Sequence, residues 1–264
     1  MPLYRQFFLI PFFFLSIFGS PKENIPLSAD AVILMDPWTK KVIYSKNPQN
    51  RLLPASTVKI MTALVVLKNF HLKKKVMVSK FASSMEPSKV YIKEGEVYIV
   101  KDLLKALLLN SGNDASVALA EGVASSEENF VEMMNEMARE IKAKDSNFRN
   151  SNGLPQEGQY STAYDLSLIV REAMKNRNFV DIIKMKYGEI EELTSGRRIK
   201  LKNHNKSLWK DTPYLVLGKT GYTKKAGHCF AGYIQYNRWR KVIVVVLKSK
   251  KLWQDLNLLA ENAM

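Results

Sequence analysis

The chain has 264 residues, 46% hydrophobic and 25% charged, which is enough apolar material for a sizeable core in one or two domains. Its formal charge of +15 favours anionic partners such as nucleic acid, anionic lipid or an acidic cell wall. The basic residues are scattered and accompany no nucleic-acid-binding motif, so we predict a solvated basic surface and no nucleic-acid partner.

Residues 1–20 differ in composition from the rest of the chain. Arg5 is their only charged residue, and an apolar run from Phe7 to Phe18 ends at Gly19-Ser20-Pro21. A short basic start, an apolar run of this length and small residues after it are typical of a secretory signal peptide. The alternative is an uncleaved N-terminal anchor, although the run is short for a membrane span. Both interpretations predict export to the periplasm or cell-wall side, with membrane association in the second.

The first half of the chain predicts a strand hairpin followed by helices. Residues 31–36 and 42–44 predict the hairpin, and residues 56–67 predict a helix that is buried because apolar residues occupy most of its faces. Apolar residues at helical spacing predict three further helices, at 101–121 with a polar break at 110–113, at 127–143 and at 164–175. Residues 145–162, rich in Asn, Ser and Gly, predict a loop.

The last fifty residues predict strands again. The predicted strands cover 215–220, 228–235 and 241–248, and an amphipathic helix over 253–262 closes the chain. Strands at both ends with helices between them predict one α/β domain over 21–264, in which a single sheet uses both ends of the chain and a helical insertion lies between. We expect the closing helix to pack beside the first hairpin.

Metal chemistry is improbable for this sequence. The three histidines have no metal-ligand spacing, and the single cysteine, Cys229, allows neither a disulfide framework nor a thiolate metal site. We therefore predict no metal and no cofactor, with Cys229 as a buried structural thiol.

The segment Pro54-Ala55-Ser56-Thr57-Val58-Lys59 is the first candidate for chemistry. Ser56 and Lys59 are three residues apart at the start of a predicted helix, so their side chains lie on one face. A serine hydroxyl needs a base to become a good nucleophile, and a neutral lysine amine can serve. Burial or a second cation must lower the lysine pKa for that purpose. Alone, the Ser-x-x-Lys pattern is a weak signal.

Two further triplets are also weak when taken alone. Ser111-Gly112-Asn113 lies in the polar break between two predicted helices, where it can relay a proton or simply form a turn. Lys219-Thr220-Gly221 lies on a predicted strand, where the lysine can bind a carboxylate and the glycine allows close approach of a substrate backbone.

Together and in this order, the three motifs resemble the signature of β-lactamases and penicillin-binding proteins. Further segments make the resemblance more specific to the D-alanyl-D-alanine carboxypeptidase family, the low-molecular-mass penicillin-binding proteins. These segments are Ser151-Asn152-Gly153-Leu154-Pro155, residues 160–166 and residues 218–223. The resemblance covers about residues 28–250, and it implies a mainly antiparallel sheet flanked by helices, as in β-lactamases and transpeptidases.

The resemblance also implies roles for individual residues. Ser56 is the expected acylated nucleophile, Lys59 its base and Ser111 a proton relay, with Asn113 positioning groups. The expected carboxylate-binding residues are Lys219 and Thr220 on the strand, followed by Gly221 and Tyr222. The peptide N–H groups of Ser56 and Tyr222 are expected to form the oxyanion hole. The implied substrate is the peptidoglycan stem peptide, cut at its terminal D-Ala-D-Ala bond, and β-lactams are the implied covalent inhibitors.

Two departures from the family pattern stand out. Many members carry a further β-rich domain and a C-terminal amphipathic anchor, and we expect neither here. The family often has an arginine before the Lys219 segment, where this chain has His204. If His204 helps to hold the substrate carboxylate, affinity should weaken as pH rises through the histidine pKa.

Three alternative functions remain open. A D,D-endopeptidase that cuts peptidoglycan cross-links performs the same reaction on a longer substrate. A class A β-lactamase needs an extra glutamate for deacylation, and we expect no such Glu-x-x-x-Asn element between Ser111 and Lys219. A non-catalytic cell-wall binding module would not need the Ser56–Lys59 pair.

Overall fold

The computed structural model describes residues 25–263, so the predicted signal segment, residues 1–20, lies outside the described part. The strands are β1 (Ala31–Met35), β2 (Val42–Lys46), β3 (Lys75–Met77), β4 (Val97–Ile99), β5 (Tyr187–Glu191), β6 (Arg198–Lys202), β7 (Leu215–Thr223), β8 (Gly227–Gln235) and β9 (Lys241–Ser249). The helices are α1 (Lys59–Asn69), α2 (Lys80–Ser84), α3 (Val100–Leu109), α4 (Asn113–Ala124), α5 (Glu127–Glu140), α6 (Ala163–Ala173), α7 (Arg177–Lys184) and α8 (Leu252–Asn262). Short 3₁₀ turns cover Ala55–Val58 and Lys206–Trp209.

The main sheet is antiparallel throughout and takes strands from both ends of the chain. Its spatial order is β2-β1-β9-β8-β7, with Ile33 of β1 opposite Val245 of β9 and Lys219 of β7 opposite Ala231 of β8. This confirms the predicted fold class and the prediction that residues 31–44 and 215–248 share one sheet. β7 is an edge strand, which leaves one side of its backbone available to the neighbouring site.

The long valine run of β9 is explained by burial on both faces of the sheet. Val244 and Val246 face a cluster that includes Leu256 of α8, whereas Val245 faces the larger cluster shared with the helices. The closing helix α8 shares its cluster with Val32 of β1, although its main contacts are with β8 and β9.

The helical insertion packs against the other face of the sheet. α6 contacts β1, β8 and β9, and α1 contacts α3, α4, α5 and α6. α4 contacts α1, α2, α3 and α5, and its buried side chains are both polar and apolar. The predicted break at 110–113 separates α3 from α4, so this part of the prediction is confirmed.

Two small two-stranded sheets were not predicted from the sequence. β3 pairs with β4, and β5 pairs with β6, both antiparallel. β5 and β6 pack against α3. No helix among residues 25–263 is long and apolar enough to cross a membrane.

Candidate active site

Ser56 lies in a tight turn at the point where the chain enters the core. The Thr57 hydroxyl donates to the carbonyl oxygen of Pro54 at 2.6 Å, and the Thr57 N–H donates to the same oxygen at 3.3 Å. These bonds hold a 3₁₀ turn that continues directly into α1, whose first two turns are fully buried. Ser56 is the one partly exposed residue of the turn, so its hydroxyl reaches the cavity from a rigid element.

Lys59 is buried beneath Ser56, and its amine has three near neighbours. Nζ donates to Asn113 Oδ1 at 2.7 Å and to the carbonyl oxygen of Asn152 at 2.6 Å, and it lies 3.2 Å from Ser56 Oγ. A neutral amine has two N–H groups and one lone pair. Since the two acceptors engage both N–H groups, the lone pair is left to face the Ser56 hydroxyl, which is the arrangement a general base requires.

The surroundings of Lys59 favour its neutral form. Burial lowers the pKa of Lys59 well below its ordinary value, and the positive charge of Lys219 lowers it further. The negative charges of Asp114 and Glu127 act in the opposite direction. Lys219 is itself fully buried, and burial lowers its pKa to about 7.

The Ser111–Asn113 loop connects Lys59 to the 85–92 segment. Ser111 has a φ of 61°, which a non-glycine residue seldom adopts. The Asn113 side-chain amide donates to the carbonyl oxygen of Glu86 at 2.8 Å while its oxygen receives the Lys59 bond. The buried Asp114 carboxylate accepts N–H bonds from Val90 at 3.0 and 3.1 Å. The loop and the 85–92 segment are therefore held as one unit.

The edge strand β7 forms the other wall. Lys219 Nζ donates to the carbonyl oxygen of Thr220 at 2.8 Å. A Cβ atom at Gly221 would lie 2.8 Å from the backbone nitrogen of Ser56 and 3.0 Å from the Ala55 Cβ. Only glycine therefore lets the strand pass so close to the turn that carries Ser56. Tyr222 is the next residue of the strand, and 59% of its surface is exposed.

His204 lies at the cavity mouth, with an exposed outer side. Its backbone N–H donates to the carbonyl oxygen of Leu109 at 3.1 Å. Partial burial, followed by the positive charges of Lys219 and Lys59, lowers the pKa of His204 to about 4. The imidazole of the free protein is therefore neutral at neutral pH, so a pH dependence near the ordinary histidine pKa is no longer expected.

The predicted site residues converge on one cavity of about 320 Å³. Seven of them line it directly, namely Ser56, Ser111, Asn113, His204, Thr220, Gly221 and Tyr222. Lys59 and Lys219 are buried behind this wall. No Asp or Glu of the described chain lines the cavity.

One expectation about the glutamate of β-lactamases was wrong. A Glu-x-x-x-Asn match does occur between Ser111 and Lys219, at Glu172–Asn176. It lies at the end of α6, in a separate groove that none of the site residues lines, and Glu172 accepts a 2.6 Å bond from Lys175. Although the pattern is present, its position excludes a role in deacylation at Ser56.

Sequence reasoning assigned no role to Glu127, which supports the site from behind. Its carboxylate accepts bonds from the Ser151 N–H at 2.8 Å and from the Ser151 hydroxyl at 2.6 Å. The Ser151 carbonyl oxygen accepts from the hydroxyls of Thr62 at 2.5 Å and Ser116 at 2.7 Å. Ser151 is thus fixed on both sides, and its neighbour Asn152 presents its carbonyl oxygen to Lys59.

The glycine after Asn152 is required by close packing. Gly153 has a φ of 86°, and a Cβ atom there would lie 2.0 Å from the carbonyl oxygen of Ala55. The Ser151–Gly153 segment, which resembles a family hallmark in the sequence, therefore packs directly against the turn that carries Ser56. The contact between this segment and Glu127 could not be predicted from spacing in the sequence, because it depends on how α5 packs.

We predict that Glu127→Gln shifts the pH dependence of acylation to lower pH. The Glu127 charge raises the Lys59 pKa, so removing that charge lets the lysine lose its proton at lower pH. Glu127→Ala, which also removes the Ser151 bonds, should slow acylation by about tenfold or more, the usual effect of breaking a hydrogen bond to a charged group. Acylation rates with a labelled penicillin across pH measure both effects.

The exposed neighbour Glu128, in the same turn of α5, provides the control. Glu128→Ala should leave the rate and its pH profile unchanged. If the Glu127 and Glu128 variants have the same acylation rates and pH profiles, Glu127 does not help to position Lys59.

The sequence is similar to a known protein family, and this similarity agrees with the geometry of the site. The family model described as D-alanyl-D-alanine carboxypeptidase matches residues 19–251. D-alanyl-D-alanine carboxypeptidase DacF of Bacillus subtilis is 36% identical over 86% of this chain and 59% of its own length, and DacD of Escherichia coli is 34% identical over 79% and 57%. The chain thus spans less than two thirds of these relatives.

The fold has close counterparts among solved structures. A D-alanyl-D-alanine carboxypeptidase from Mycobacterium tuberculosis superposes with a TM-score of 0.83 at 27% identity, covering 92% of this chain and 95% of that one. The three motifs meet at one cavity in this fold, and the family model matches most of the sequence. The chain belongs to the D-alanyl-D-alanine carboxypeptidase family.

Proposed function

We propose that the protein is a serine D-Ala-D-Ala carboxypeptidase that removes the terminal D-Ala from peptidoglycan stem peptides. The observation that carries this proposal is the arrangement around the Lys59 amine. Its N–H groups donate to Asn113 and Asn152, and its nitrogen lies 3.2 Å from Ser56 Oγ, so that its lone pair can face the hydroxyl. A non-catalytic binding module would have no use for a buried lysine held in this way.

The first step forms an acyl-enzyme. Ser56 Oγ attacks the carbonyl carbon of the penultimate D-Ala, and its proton passes to Lys59 Nζ. The peptide N–H groups of Ser56 and Tyr222 stabilise the negative charge on the carbonyl oxygen. The amide C–N bond then breaks, and the departing D-Ala nitrogen receives the proton held by Lys59 through the Ser111 hydroxyl, which leaves Lys59 neutral. Lys219 and Thr220 hold the terminal carboxylate during this step.

The second step releases the shortened peptide. Water attacks the Ser56 ester, and its proton passes to the neutral Lys59. The ester C–O bond breaks, and Ser56 Oγ takes the proton back from Lys59, which is neutral again. A β-lactam would follow the same first step, with its ring amide opened by Ser56. Because the leaving nitrogen stays attached to the opened ring, it keeps water from the ester and the adduct persists.

Release of D-Ala from a synthetic stem pentapeptide tests the proposal directly. The wild-type protein should release one D-Ala per peptide and should carry one penicilloyl group after treatment with labelled penicillin, measured by intact mass. Absence of both signals in the folded protein would refute the proposed function.

Export is proposed from two observations. Residues 1–20 have the composition of a signal or anchor segment, and peptidoglycan, on which the family acts, lies outside the cytoplasmic membrane. The basic surface, with the net charge of +15, suits an anionic wall or lipid surface. Normal export of a chain lacking residues 1–20 would contradict this proposal.

His204 is proposed to contact the substrate carboxylate as a neutral hydrogen-bond donor. Because its pKa is lowered to about 4, the imidazole stays neutral at and above about pH 5.5. The KM of the wild type should then show no step near pH 6.5 that arises from His204. His204→Arg adds a permanent cation and should lower KM over the range of about pH 5.5 to 8. Unchanged KM values for His204→Arg would remove His204 from carboxylate binding.

A further inference from the structure

A second groove, of about 540 Å³, opens beside the catalytic cavity. It is lined by Lys202, Asn203, His204, Lys206 and Trp209, and most of its wall consists of apolar atoms. His204 and Lys206 line the catalytic cavity as well. The two spaces therefore meet at these residues, and a substrate in one can extend into the other.

The groove lies at the Lys219 end of the cavity. The Asn205 side-chain amide donates to the carbonyl oxygen of Val216 at 2.7 Å, which ties this segment to the beginning of β7. On its other side, the Lys202 N–H donates to Asn110 Oδ1 at 2.8 Å. Since Tyr222 and Thr223 lie at the opposite end of β7, the groove continues from the end where the terminal carboxylate is proposed to bind.

Trp209 gives the groove a fixed apolar surface. Its ring meets the Tyr187 ring edge to face, with centroids 6.0 Å apart, and 38% of the tryptophan surface is exposed. Lys202 Nζ lies 5.6 Å from the centre of the indole ring. No acidic residue of the described chain lines the groove, so its charge is positive. An aliphatic chain with an anionic end is complementary to this combination.

We propose that the groove is a leaving-group subsite that takes the side chain of a D-amino acid longer than D-alanine. The proposal rests on the proposed function, because it places the α-carboxylate of the leaving residue at Lys219 and Thr220. The methyl group of D-alanine would stay within the catalytic cavity, whose lining does not include Trp209. A longer aliphatic side chain, such as one through which a cross-link continues, would cross the Trp209 surface and place its anionic end near Lys202.

A series of peptides that differ only in the last residue tests this subsite. The same acyl-D-Ala half is joined to D-alanine, D-leucine or D-α-aminoadipate, and kcat/KM is measured for each. Trp209→Ala should lower kcat/KM for the two longer substrates by about fivefold to tenfold relative to D-alanine, the effect of losing part of an apolar contact. Lys202→Gln should lower only the D-α-aminoadipate value, by about threefold to fivefold.

Trp239, 79% exposed in the turn between β8 and β9, is the matched control. Trp239→Ala should leave all ratios at the wild-type value. Trp209→Phe, which keeps an aromatic surface, should recover most of the loss. If the wild type releases D-alanine but Trp209→Ala does not change the kcat/KM ratios of the longer substrates to the D-alanine peptide, the subsite alone is overturned. Failure of the wild type to release D-alanine would overturn the proposed function and the subsite with it.

Discussion

Ser56→Ala is expected to abolish both D-Ala release and penicillin labelling. The substitution removes the atom that is proposed to form the ester. Among the described residues that line the cavity, no other hydroxyl lies within hydrogen-bond distance of the Lys59 amine. Intact-mass measurement after incubation with a labelled penicillin should show one adduct on the wild type and none on the variant.

The competing nucleophile would be Cys229, and its environment argues against it. The thiol is buried, and burial raises its pKa to about 11, so little thiolate forms at neutral pH. Ser84→Ala, at an exposed serine of α2, serves as the control and should label normally. A penicilloyl group mapped by peptide digestion to any residue other than Ser56 would contradict the assignment.

Lys59→Met is expected to lower the acylation rate by about a hundredfold to ten-thousandfold, the usual range for loss of a general base. Methionine fills the fully buried site without a large cavity, so the loss should reflect chemistry more than packing. Because the proposed mechanism makes Ser56 and Lys59 act as one unit, the double variant should be no less active than Ser56→Ala alone. Stopped-flow labelling and thermal unfolding together separate the two effects.

The pH dependence provides an independent check on Lys59. The amine acts as base only when neutral, so the wild-type acylation rate should fall as pH drops through the lowered Lys59 pKa. Burial and Lys219 set that pKa well below the ordinary lysine value. If the rate rose only near the pKa of an unperturbed lysine, the amine could not be the base in the geometry described.

The sequence predicted the parts of the fold with long apolar patterns. β1, β7, β8 and β9 are mostly buried, and their apolar runs identify them without any knowledge of the site. β3 and β5 were missed because each has a single buried residue, Val76 and Ile190 respectively. So short a pattern does not distinguish a strand from a loop.

The candidate site divides in the same way. Ser56 and Lys59 could be paired because they are close in sequence. Ser111, Asn113 and Lys219 could be assigned to the same site because the three motifs occur in the order typical of the family. Glu127 could not be found, because its contact with Ser151 spans 24 residues of chain and depends on the packing of α5. The lowered pKa of His204 was also beyond sequence reasoning, since it results from burial and the nearby lysines.

The pairing of β1 with β9 has a consequence for how the protein becomes active. Ile33 and Val245 are neighbours across the sheet although most of the chain lies between them. Such distant pairing makes folding slow compared with that of helical proteins of similar size. During synthesis, Ser56 emerges before the strand that carries Lys219 and before its partners β8 and β9. Under the proposed function, penicillin labelling would therefore report that β7, β8 and β9 have assembled with the Ser56 turn, because Ser56 alone does not make the site.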